Sequence, residues 1–436
     1  MTSKNNLIEQ LEKIGVIGLA ISTLLYLCSY NVVLYRYYSQ IVCGSYPYLR
    51  KCNMSEENDI TNHIRTAVEQ IMENEDPVEY ILNEHQKLHI GDKEIAKTLL
   101  VSIGVQSALN SEGIQPKVNG ASGKGKTHCC KAMKHLMPPE WIIETMLSDK
   151  VIYRMQLNSG VVIFCDDADL SPSLEGTIKR ATTNFQAETI FTTLDKEHKV
   201  KSLPIPPHIV WWLTSIDDDQ SLQLLNRQLS AGVDETPDQD RRVLEHQIDQ
   251  ALTGKMAFPE TEEVRICREI IRTIKQKEFV VKIPFAKDIE WTNESNRRNF
   301  PLFCDIMAGF AIFRFKQRKL DETGALLADL KDFISAAELY NKRAKNQQLK
   351  ITNKEEELLA AIKELNGRAT YEDLCKKLRV GSSRISHLLN GKGGNHDSGL
   401  LYKVPGLSTE QDGKKTMVIF DGSYEEGNYE VKLRGV

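Results

Sequence analysis

The stretch Gly120–Thr127 (GASGKGKT) decides the fold expected for this chain. It fits the pattern G-x-x-x-x-G-K-[ST], in which a glycine-rich loop joins a strand to a helix. Glycines let backbone N–H groups curl around phosphate oxygens, and the start of the next helix adds the positive end of its dipole. The sequence predicts a short strand, Gln115–Val118, before the loop and a helix, Lys126–Leu136, after it. The loop is therefore expected to bind the phosphates of ATP.

The residue types around the loop suggest separate roles. Lys126 is expected to reach the β- and γ-phosphates and to take part in catalysis, and the Thr127 hydroxyl is expected to bind Mg²⁺. A flexible surface loop of glycine, serine and lysine is the alternative, which the position between a strand and a helix disfavours. The residues predicted to contact the nucleotide are Gly120, Gly123, Gly125, Lys126, Thr127 and His128.

A second element of an ATPase site follows an apolar run. Val161–Cys165 has the composition of a strand buried on both faces of a parallel sheet, and Asp166 and Asp167 come directly after it. Asp166 is expected to hold the magnesium ion, and Asp167 to polarise the attacking water. Solvated acids that end a strand are the alternative. A further apolar run, Ile209–Leu213, completes an alternation of strands and helices that predicts a three-layer α/β domain.

Composition gives only weak constraints on function. The chain has 436 residues, 41% hydrophobic and 27% charged, with a formal net charge of −4. This is the composition of a globular protein of two or three domains. A net charge near zero means that nucleic-acid binding has to come from local basic patches. The nine cysteines form no metal-type CxxC pair, which favours a reducing, cytoplasmic location.

One N-terminal segment departs from this pattern. The 22 residues Ile14–Tyr35 carry no charge and are long enough to span a bilayer as a helix. If they span, the protein is membrane-anchored, with its C-terminal part in the cytoplasm. A buried helix and an upstream extension that is not naturally translated are the alternatives, since Met54 opens a polar helical stretch and would serve as a start. Membrane contact stays open at this point.

Together these motifs resemble the AAA+ ATPases, and most closely the minichromosome maintenance helicases, especially the short relatives carried by mobile elements and viruses. The resemblance covers Asp76–Gln348 and the C-terminal winged helix described below, and it rests on the phosphate loop and on Asp166-Asp167-Ala168-Asp169, where the family has D-E-x-D. The aspartate at position 167 shortens the expected base by one methylene. The resemblance implies a parallel sheet with a helical lid, Mg²⁺ and ATP as cofactors, and a homo-oligomer, expected to be a hexamer with active sites shared between subunits.

The resemblance also assigns roles to single residues. Thr214, with Ser215 as the alternative, would end the sensor-1 strand. Arg227, with Arg241 and Arg242 in reserve, would be the arginine finger. Arg298, with Arg297 as the alternative, would begin the sensor-2 helix and point at the γ-phosphate. A β-hairpin before the sensor strand would grip DNA through Lys196, His198, Lys199 and Lys201, although these charges equally fit a solvated turn.

The last part of the chain has the pattern of a winged helix. Thr352 with Glu355 predicts a capped first helix, Thr370 caps a second, and Ser382–Leu389 forms the third, followed by two strand-like segments, Leu400–Val404 and Lys415–Phe420. Arg384 and His387 on the third helix are expected to contact DNA. Protein contact or packing on the ring is the alternative.

The predicted organisation is an apolar segment 1–53, a helical lead-in 54–110, an ATPase core 111–259, a helical lid 260–348 and a winged helix 349–436. The favoured function is an ATP-driven, ring-forming DNA helicase for the replication of a mobile element or virus. The alternatives are a helicase loader or initiator ATPase that remodels partners without unwinding, and a DNA-binding regulator that is switched by ATP.

Overall fold

The structure is a computed structural model, which describes most of the chain after residue 61. The described residues are 62–145, 155, 157–166, 170–194, 200–215, 228–254, 256–291, 297–342, 344, 351–391, 399–413, 415–422 and 429–435. The chain divides into two units, 1–66 and 67–436, and the second contains all the strands named below. The apolar stretch Ile14–Tyr35 lies outside the described residues. No helix within the described ranges has the length and apolar character required to cross a bilayer.

Helices make up most of the described regular structure. In chain order they are α1 (62–74), α2 (Pro77–Leu88), α3 (Lys93–Gly104), α4 (Lys126–Leu136), α5 (Pro172–Thr183), α6 (Pro237–Thr253), α7 (Glu262–Lys275), α8 (Asn299–Phe313), α9 (Leu330–Asn341), α10 (Asn353–Glu364), α11 (Tyr371–Leu378), α12 (Ser382–Asn390) and α13 (Leu400–Lys403).

The strands are shorter and belong to several sheets. In chain order they are β1 (Gln115–Asn119), β2 (Ile142–Glu144), β3 (Val162–Cys165), β4 (Thr189–Leu194), β5 (Val200–Ile205), β6 (Val210–Ser215), β7 (Gln228–Gly232), β8 (Val281–Lys282), β9 (Ile289–Glu290), β10 (Leu326–Leu327), β11 (Arg368–Thr370), β12 (Leu407–Asp412), β13 (Lys415–Phe420) and β14 (Lys432–Leu433).

Five parallel strands form the central sheet, in the order β2-β3-β6-β1-β7. The strand β6 thus lies between β1, which leads into the glycine-rich loop, and β3, the apolar run before Asp166. Leu213 on β6 is in register with Lys117 on one side and with Cys165 on the other. The three strands therefore end at the same edge of the sheet, where ligands of open α/β sheets bind.

Helices cover both faces of this sheet. Trp211 on β6 packs in a core with Leu174 and Ile178 of α5. Because successive side chains of a strand point to opposite faces, Trp212 lies on the other side, where its indole N–H donates to the Ser102 hydroxyl of α3 at 3.0 Å. The predicted parallel α/β sheet between helical layers is confirmed.

The region 260–348 is less uniformly helical than the sequence predicts. Between helices α7, α8 and α9 lie three strands of two residues each, β8, β9 and β10. Strand β8 pairs with β10, and β9 pairs with β14 from the C-terminal end of the chain. Strands this short leave no periodic hydrophobic pattern, which is why the sequence does not reveal them. Helix α8 packs closely against α3, since a Cβ atom at Gly309 would lie 2.8 Å from the carbonyl oxygen of Val101.

A buried ion network ties this helical region to α2. The Arg314 guanidinium, at the end of α8, donates to Asp332 at 2.9 Å and to Asp76 at 3.0 and 3.2 Å. Arg318 donates to both oxygens of Asp332 at 2.7 Å. The side chains of Arg314 and Asp332 are almost fully buried, so each charge is compensated inside the protein.

The C-terminal part has a hydrophobic core of its own. Leu358, Leu374, Ile385 and Val418 bring α10, α11 and α12 together against the antiparallel sheet β11-β13-β12. The expected caps are present, because Thr352 and Thr370 both form reciprocal capping boxes. The strand expected at 400–404 is wrong, since Leu400–Lys403 is a helical turn. A short apolar run fits either conformation.

Candidate functional site

The glycine-rich loop adopts a backbone that only glycine accepts easily. Gly125, the N-cap of α4, has a φ of +93°, which turns the chain directly into the helix. Gly120 has a φ of +154°, and a Cβ atom there would lie 2.2 Å from the Cγ2 atom of Val233. The loop is therefore both tightly curled and closely packed against the segment that follows β7.

Lys126 is folded onto the loop itself. Its ammonium group donates to the carbonyl oxygens of Gly120 and Ala121, at 2.9 and 3.0 Å, and the residue is 5% exposed. A lysine held in this position places its positive charge within the concavity formed by the loop. That is the position in which it can exchange these carbonyl oxygens for phosphate oxygens.

The central feature of the site is a carboxylate that accepts two hydroxyl groups. Thr127 Oγ1 and Thr214 Oγ1 each donate to Oδ1 of Asp166, both at 2.7 Å. The three residues come from α4, from the end of β3 and from β6. The register of the sheet accounts for this meeting, since Asp166 and Thr214 each follow a residue of the pair Cys165–Leu213.

Two acidic side chains hold the outside of the loop. Glu235 accepts a hydrogen bond from the backbone N–H of Ala121 at 2.7 Å, and Asp240 accepts from the Lys124 ammonium at 2.7 and 2.9 Å. Sequence reasoning missed both residues, which lie more than a hundred positions after the loop and belong to no local motif. They fix the loop to the start of α6.

A chain of histidines flanks the first turn of α4. The Nδ1 atoms of His128 and His89 lie 3.0 Å apart, and His89 Nε2 lies 2.8 Å from Oδ2 of Asp92. Burial lowers the pKa of His128, and the nearby His89 adds to the effect. Burial also lowers the pKa of His85 to about 4. The loop motif predicted a role for His128, whereas its partners His89 and Asp92 belong to no motif in the sequence.

The residues present fit a nucleoside triphosphate with magnesium. The loop offers backbone N–H groups and a buried ammonium for phosphate oxygens, and Thr127 and Asp166 offer oxygen ligands, the type that Mg²⁺ prefers. The hydroxyl and the carboxylate already lie within hydrogen-bond distance of each other, so a single cation can be shared between them.

Comparison with known proteins agrees with this geometry. Residues 62–277 match a family model described as the MTBMA_p00010 P-loop domain. The chain contains a P-loop domain. A curated protein of Methanothermobacter marburgensis, named Uncharacterized protein MTBMA_p00010, is 22% identical over 370 residues, which is 77% of this chain and 45% of that protein. The chain thus matches less than half the length of this relative.

Several predicted site residues fall outside the described part of the P-loop domain. They are Asp167, Arg227, Lys196, His198 and Lys199. Lys201 is described in its backbone only, on β5, which pairs with β4 in an antiparallel hairpin. The roles of these residues stay predictions. The reserve arginines lie on α6, where Arg241 and Arg242 are each 3.7 Å from Asp238.

Arg298 does not lie at the phosphate loop of its own chain. Together with Arg297 it lines a cavity of about 290 Å³ that also contacts Gly113 and Gln115, at the amino end of β1. The loop follows the opposite end of this strand, about 13 Å away at 3.3 Å per residue. Arg298 therefore lies at the amino end of β1 in its own subunit, and its predicted contact with the γ-phosphate stays a prediction.

The two predicted DNA contacts of the C-terminal part lie on α12. His387 is exposed and Arg384 is half-buried, while Ile385 and Leu389 on the same helix are buried in the core. The helix therefore turns an apolar face inward and a polar face outward. Whether this polar face contacts DNA stays a prediction.

Proposed function

We propose that this chain is an ATP-dependent, ring-forming DNA helicase of the AAA+ type that serves the replication of a mobile element or virus. The observation that carries the proposal is the pair of threonine hydroxyls on Asp166 at the edge of the sheet where the P-loop begins. It joins the loop, the acidic strand end and the sensor strand in the way that phosphoryl transfer requires.

In this proposal the protein positions the nucleotide and the attacking water and neutralises phosphate charge, and it forms no covalent bond with the substrate. Thr127 and Asp166 would hold Mg²⁺, which would supply positive charge to the phosphates when bound. Lys126 leaves the carbonyl oxygens of Gly120 and Ala121 for phosphate oxygens. Asp167 orients a water molecule, which attacks the γ-phosphorus as the bond to the ADP oxygen breaks. Thr214 keeps Asp166 in place throughout.

Two further features support a motor acting on DNA. An antiparallel hairpin, β4–β5, is inserted between α5 and the sensor strand β6, as the resemblance to the helicases implies. The C-terminal part adds a compact three-helix unit with a hairpin, which we propose to be a winged helix that contacts DNA through Arg384 and His387. A helicase must bind DNA as well as hydrolyse ATP, and either the hairpin or the C-terminal unit would provide this DNA binding.

An exposed apolar row supports assembly of several copies. Leu244, Ile248 and Leu252 lie four residues apart along α6, and each is more than half exposed. The same helix carries Asp240, which holds the P-loop through Lys124. We propose that this face of α6 packs on a second copy of the chain, so that contact between subunits reaches the nucleotide site.

The test of the function is strand displacement on forked DNA with ATP and Mg²⁺, using the Lys126→Ala variant as the control. We expect the parent chain to unwind the DNA and the variant to lose this activity. ATP hydrolysis without unwinding would favour the loader or initiator ATPase. DNA binding that depends on ATP, without multiple turnover of ATP, would favour the regulator. The separate hydrophobic core of the C-terminal part is also compatible with a regulator.

The shared active site can be tested by mixing variants. Arg227→Ala should leave ATP binding intact and reduce hydrolysis by about 10³-fold or more, as for other arginines that act across a subunit boundary. Adding Lys126→Ala subunits should restore part of the activity, because an intact site forms where the two kinds of subunit meet. Without such recovery, Arg241 or Arg242 would replace Arg227 in the proposal.

The hairpin can be tested by replacing Lys196, Lys199 and Lys201 together with alanine. If these residues bind single-stranded DNA, the salt dependence of binding should weaken by about 0.7 in logarithmic slope for each phosphate that the variant no longer neutralises. Unwinding should fail while ATP hydrolysis in the absence of DNA persists. Normal unwinding with an unchanged slope would leave the C-terminal unit as the part that binds DNA.

A further inference from the structure

Residues 429–435, which we call the C-terminal tail, lie on the helical region formed by α7, α8 and α9. Their strand β14 pairs antiparallel with β9, and Leu433 is in register with Ile289. One position further on, the backbone N–H of Arg434 donates to the carbonyl oxygen of Asp288 at 2.8 Å. The chain reaches this place after it has formed the C-terminal unit, which contains α10–α13 and the sheet β11-β13-β12. The tail therefore returns from the C-terminal unit to the region that precedes it.

A side chain of α9 holds the tail from the other side. The Oδ1 atom of Asn341 accepts a hydrogen bond from the backbone N–H of Val431 at 2.8 Å, and its Nδ2 atom donates to the carbonyl oxygen of Val431 at 3.0 Å. The amide thus satisfies both backbone groups of one residue, as a neighbouring strand would. Val431 is 2% exposed, whereas Lys432 and Arg434 are exposed. This alternation is that of a strand with one buried face, so side-chain packing adds to the backbone pairing.

The two elements that hold the tail belong to one aromatic cluster. Strand β9 leads directly into Trp291, whose ring centroid lies 5.3 Å from Phe300 and 6.1 Å from Phe303, both on α8. The same ring lies 5.7 Å from Tyr340 of α9, the residue before Asn341. The tail is therefore fixed to a packed core that joins α8 to α9.

The C-terminal unit is attached to the helical region at two places. The chain leaves α9 after Asn341 to enter the unit, and the tail returns to the side chain of the same residue. A domain joined through a single linker is expected to move relative to its neighbour. The second attachment restricts this movement, so a displacement of the unit acts on β9 and on the end of α9.

We propose that the C-terminal tail is a strap through which DNA bound by the C-terminal unit stimulates ATP hydrolysis. The inference rests on the proposed function, from which it takes the DNA contact and the ATPase, and it adds the connection between them. Coupling between two sites needs an element whose position both sites bias. The tail with β9 is such an element, because the cluster around Trp291 joins it to α8, α8 packs on α3, and α3 packs on the helix that follows the P-loop.

Docking of the tail is tested with a fluorescent synthetic peptide of residues 429–436 and a chain that ends at Asn428. The peptide should bind this shortened chain. It should bind the parent chain far more weakly, because the parent's own tail occupies the site at an effective concentration of about a millimolar. Asn341→Leu in the shortened chain should weaken binding at least about tenfold, as expected for two lost hydrogen bonds.

Peptide variants provide matched controls that leave the protein unchanged. A peptide with Val431→Asp should not bind, because it would place a charge at a buried position, whereas a peptide with Lys432→Ala should bind like the original, because this side chain is exposed. A shortened chain that binds no peptide, or that binds both variants equally, would overturn the docking and the inference with it.

Coupling is tested by measuring ATP hydrolysis with and without blunt duplex DNA, the form whose groove a recognition helix enters. Duplex should stimulate hydrolysis by the parent chain. The shortened chain and full-length Val431→Asp should keep basal hydrolysis and duplex affinity but lose this stimulation, whereas full-length Lys432→Ala should keep it. Free peptide should fill the site without restoring stimulation, because it does not join the unit to β9.

Three outcomes would overturn the strap. Stimulation that persists in both tail variants would show that coupling takes another route. Stimulation restored by free peptide would show that the tail only completes the small sheet. A parent chain that hydrolyses ATP and binds duplex, each without effect on the other, would refute the strap and leave the proposed function standing. A parent chain that hydrolyses no ATP would instead refute the proposed function and the coupling together, while peptide binding would still report the docking.

Discussion

The Thr127 hydroxyl donates to the Asp166 carboxylate at 2.7 Å, although the two residues lie 39 positions apart. One belongs to the helix that follows the glycine-rich loop and the other to the end of a neighbouring strand. The parallel sheet brings these two elements together at one edge, so the two oxygen atoms lie where both would hold a cation.

Replacing Lys126 with alanine should abolish tight nucleotide binding. The variant lacks the buried ammonium that faces the loop carbonyls of Gly120 and Ala121, and with it the main positive charge available to the phosphates. Binding is measured by calorimetry with ATP and Mg²⁺. Lys131→Ala serves as the control, since Lys131 lies on the same helix but pairs with Glu144. An affinity within about threefold of the parent, well below the tenfold change of 1.4 kcal/mol, would contradict the assignment of the loop.

Thr214→Val should reduce ATP hydrolysis more than ATP binding. Valine keeps the shape of the fully buried side chain but removes the hydroxyl that donates to Asp166. The cost in unfolding free energy should be about 0.5–1.5 kcal/mol, the net contribution of one hydrogen bond, because Asp166 still accepts the hydrogen bond from Thr127. Thr214→Ser restores the hydroxyl and should recover hydrolysis. Equal activity of the valine and serine variants would show that the hydrogen bond to Asp166 has no part in turnover.

Gly120→Ala should destabilise the protein more than Gly123→Ala. Both glycines have positive φ values, +154° and +80°, but only at Gly120 would a Cβ atom meet another side chain, 2.2 Å from Val233 Cγ2. The clash should add about 1–3 kcal/mol to the cost of strain alone. Denaturant unfolding measures both variants. Adding Val233→Ala to Gly120→Ala should recover part of the loss, whereas strictly additive effects would mean that the two positions do not touch.

Asp305 should make stability depend on pH. Burial raises the pKa of this carboxyl group on α8 to about 7, while the backbone N–H of Glu112 donates to it at 3.0 Å. A raised folded-state pKa means that the folded protein binds the extra proton between the ordinary aspartate value of 3.8 and about 7. Its contribution to stability is therefore complete below pH 3.8 and declines as the pH rises to 7.

The Asp305→Asn variant isolates this effect, because asparagine keeps an acceptor for Glu112 but does not titrate. Urea unfolding at pH 5 and pH 8 should show that asparagine gains stability relative to the parent as the pH rises. A difference between the two proteins that stays constant across this interval would show that Asp305 is charged in the fold throughout.

The sequence alone determined the elements whose signals are local. The loop pattern predicted the helix Lys126–Leu136 with the bounds that the structure shows, since a glycine N-cap and a proline after the last turn mark both ends. The capping boxes of Thr352 and Thr370 were equally readable, because each depends on residues three positions apart. The apolar runs predicted the buried strands β3 and β6, because a run of consecutive apolar residues is also a local signal.

Only the tertiary structure decided which side chains meet. The pairing of Thr214 with Asp166 depends on strand order, and the contacts of Ala121 with Glu235 and of Asp234 with Asp92 join residues 114 and 142 positions apart. Arg298 is a second example, because the sequence did not reveal that this residue lies at the amino end of β1. Sequence patterns report the conformation of neighbouring residues, whereas a contact between distant ones depends on how sheet order and helix packing orient whole elements.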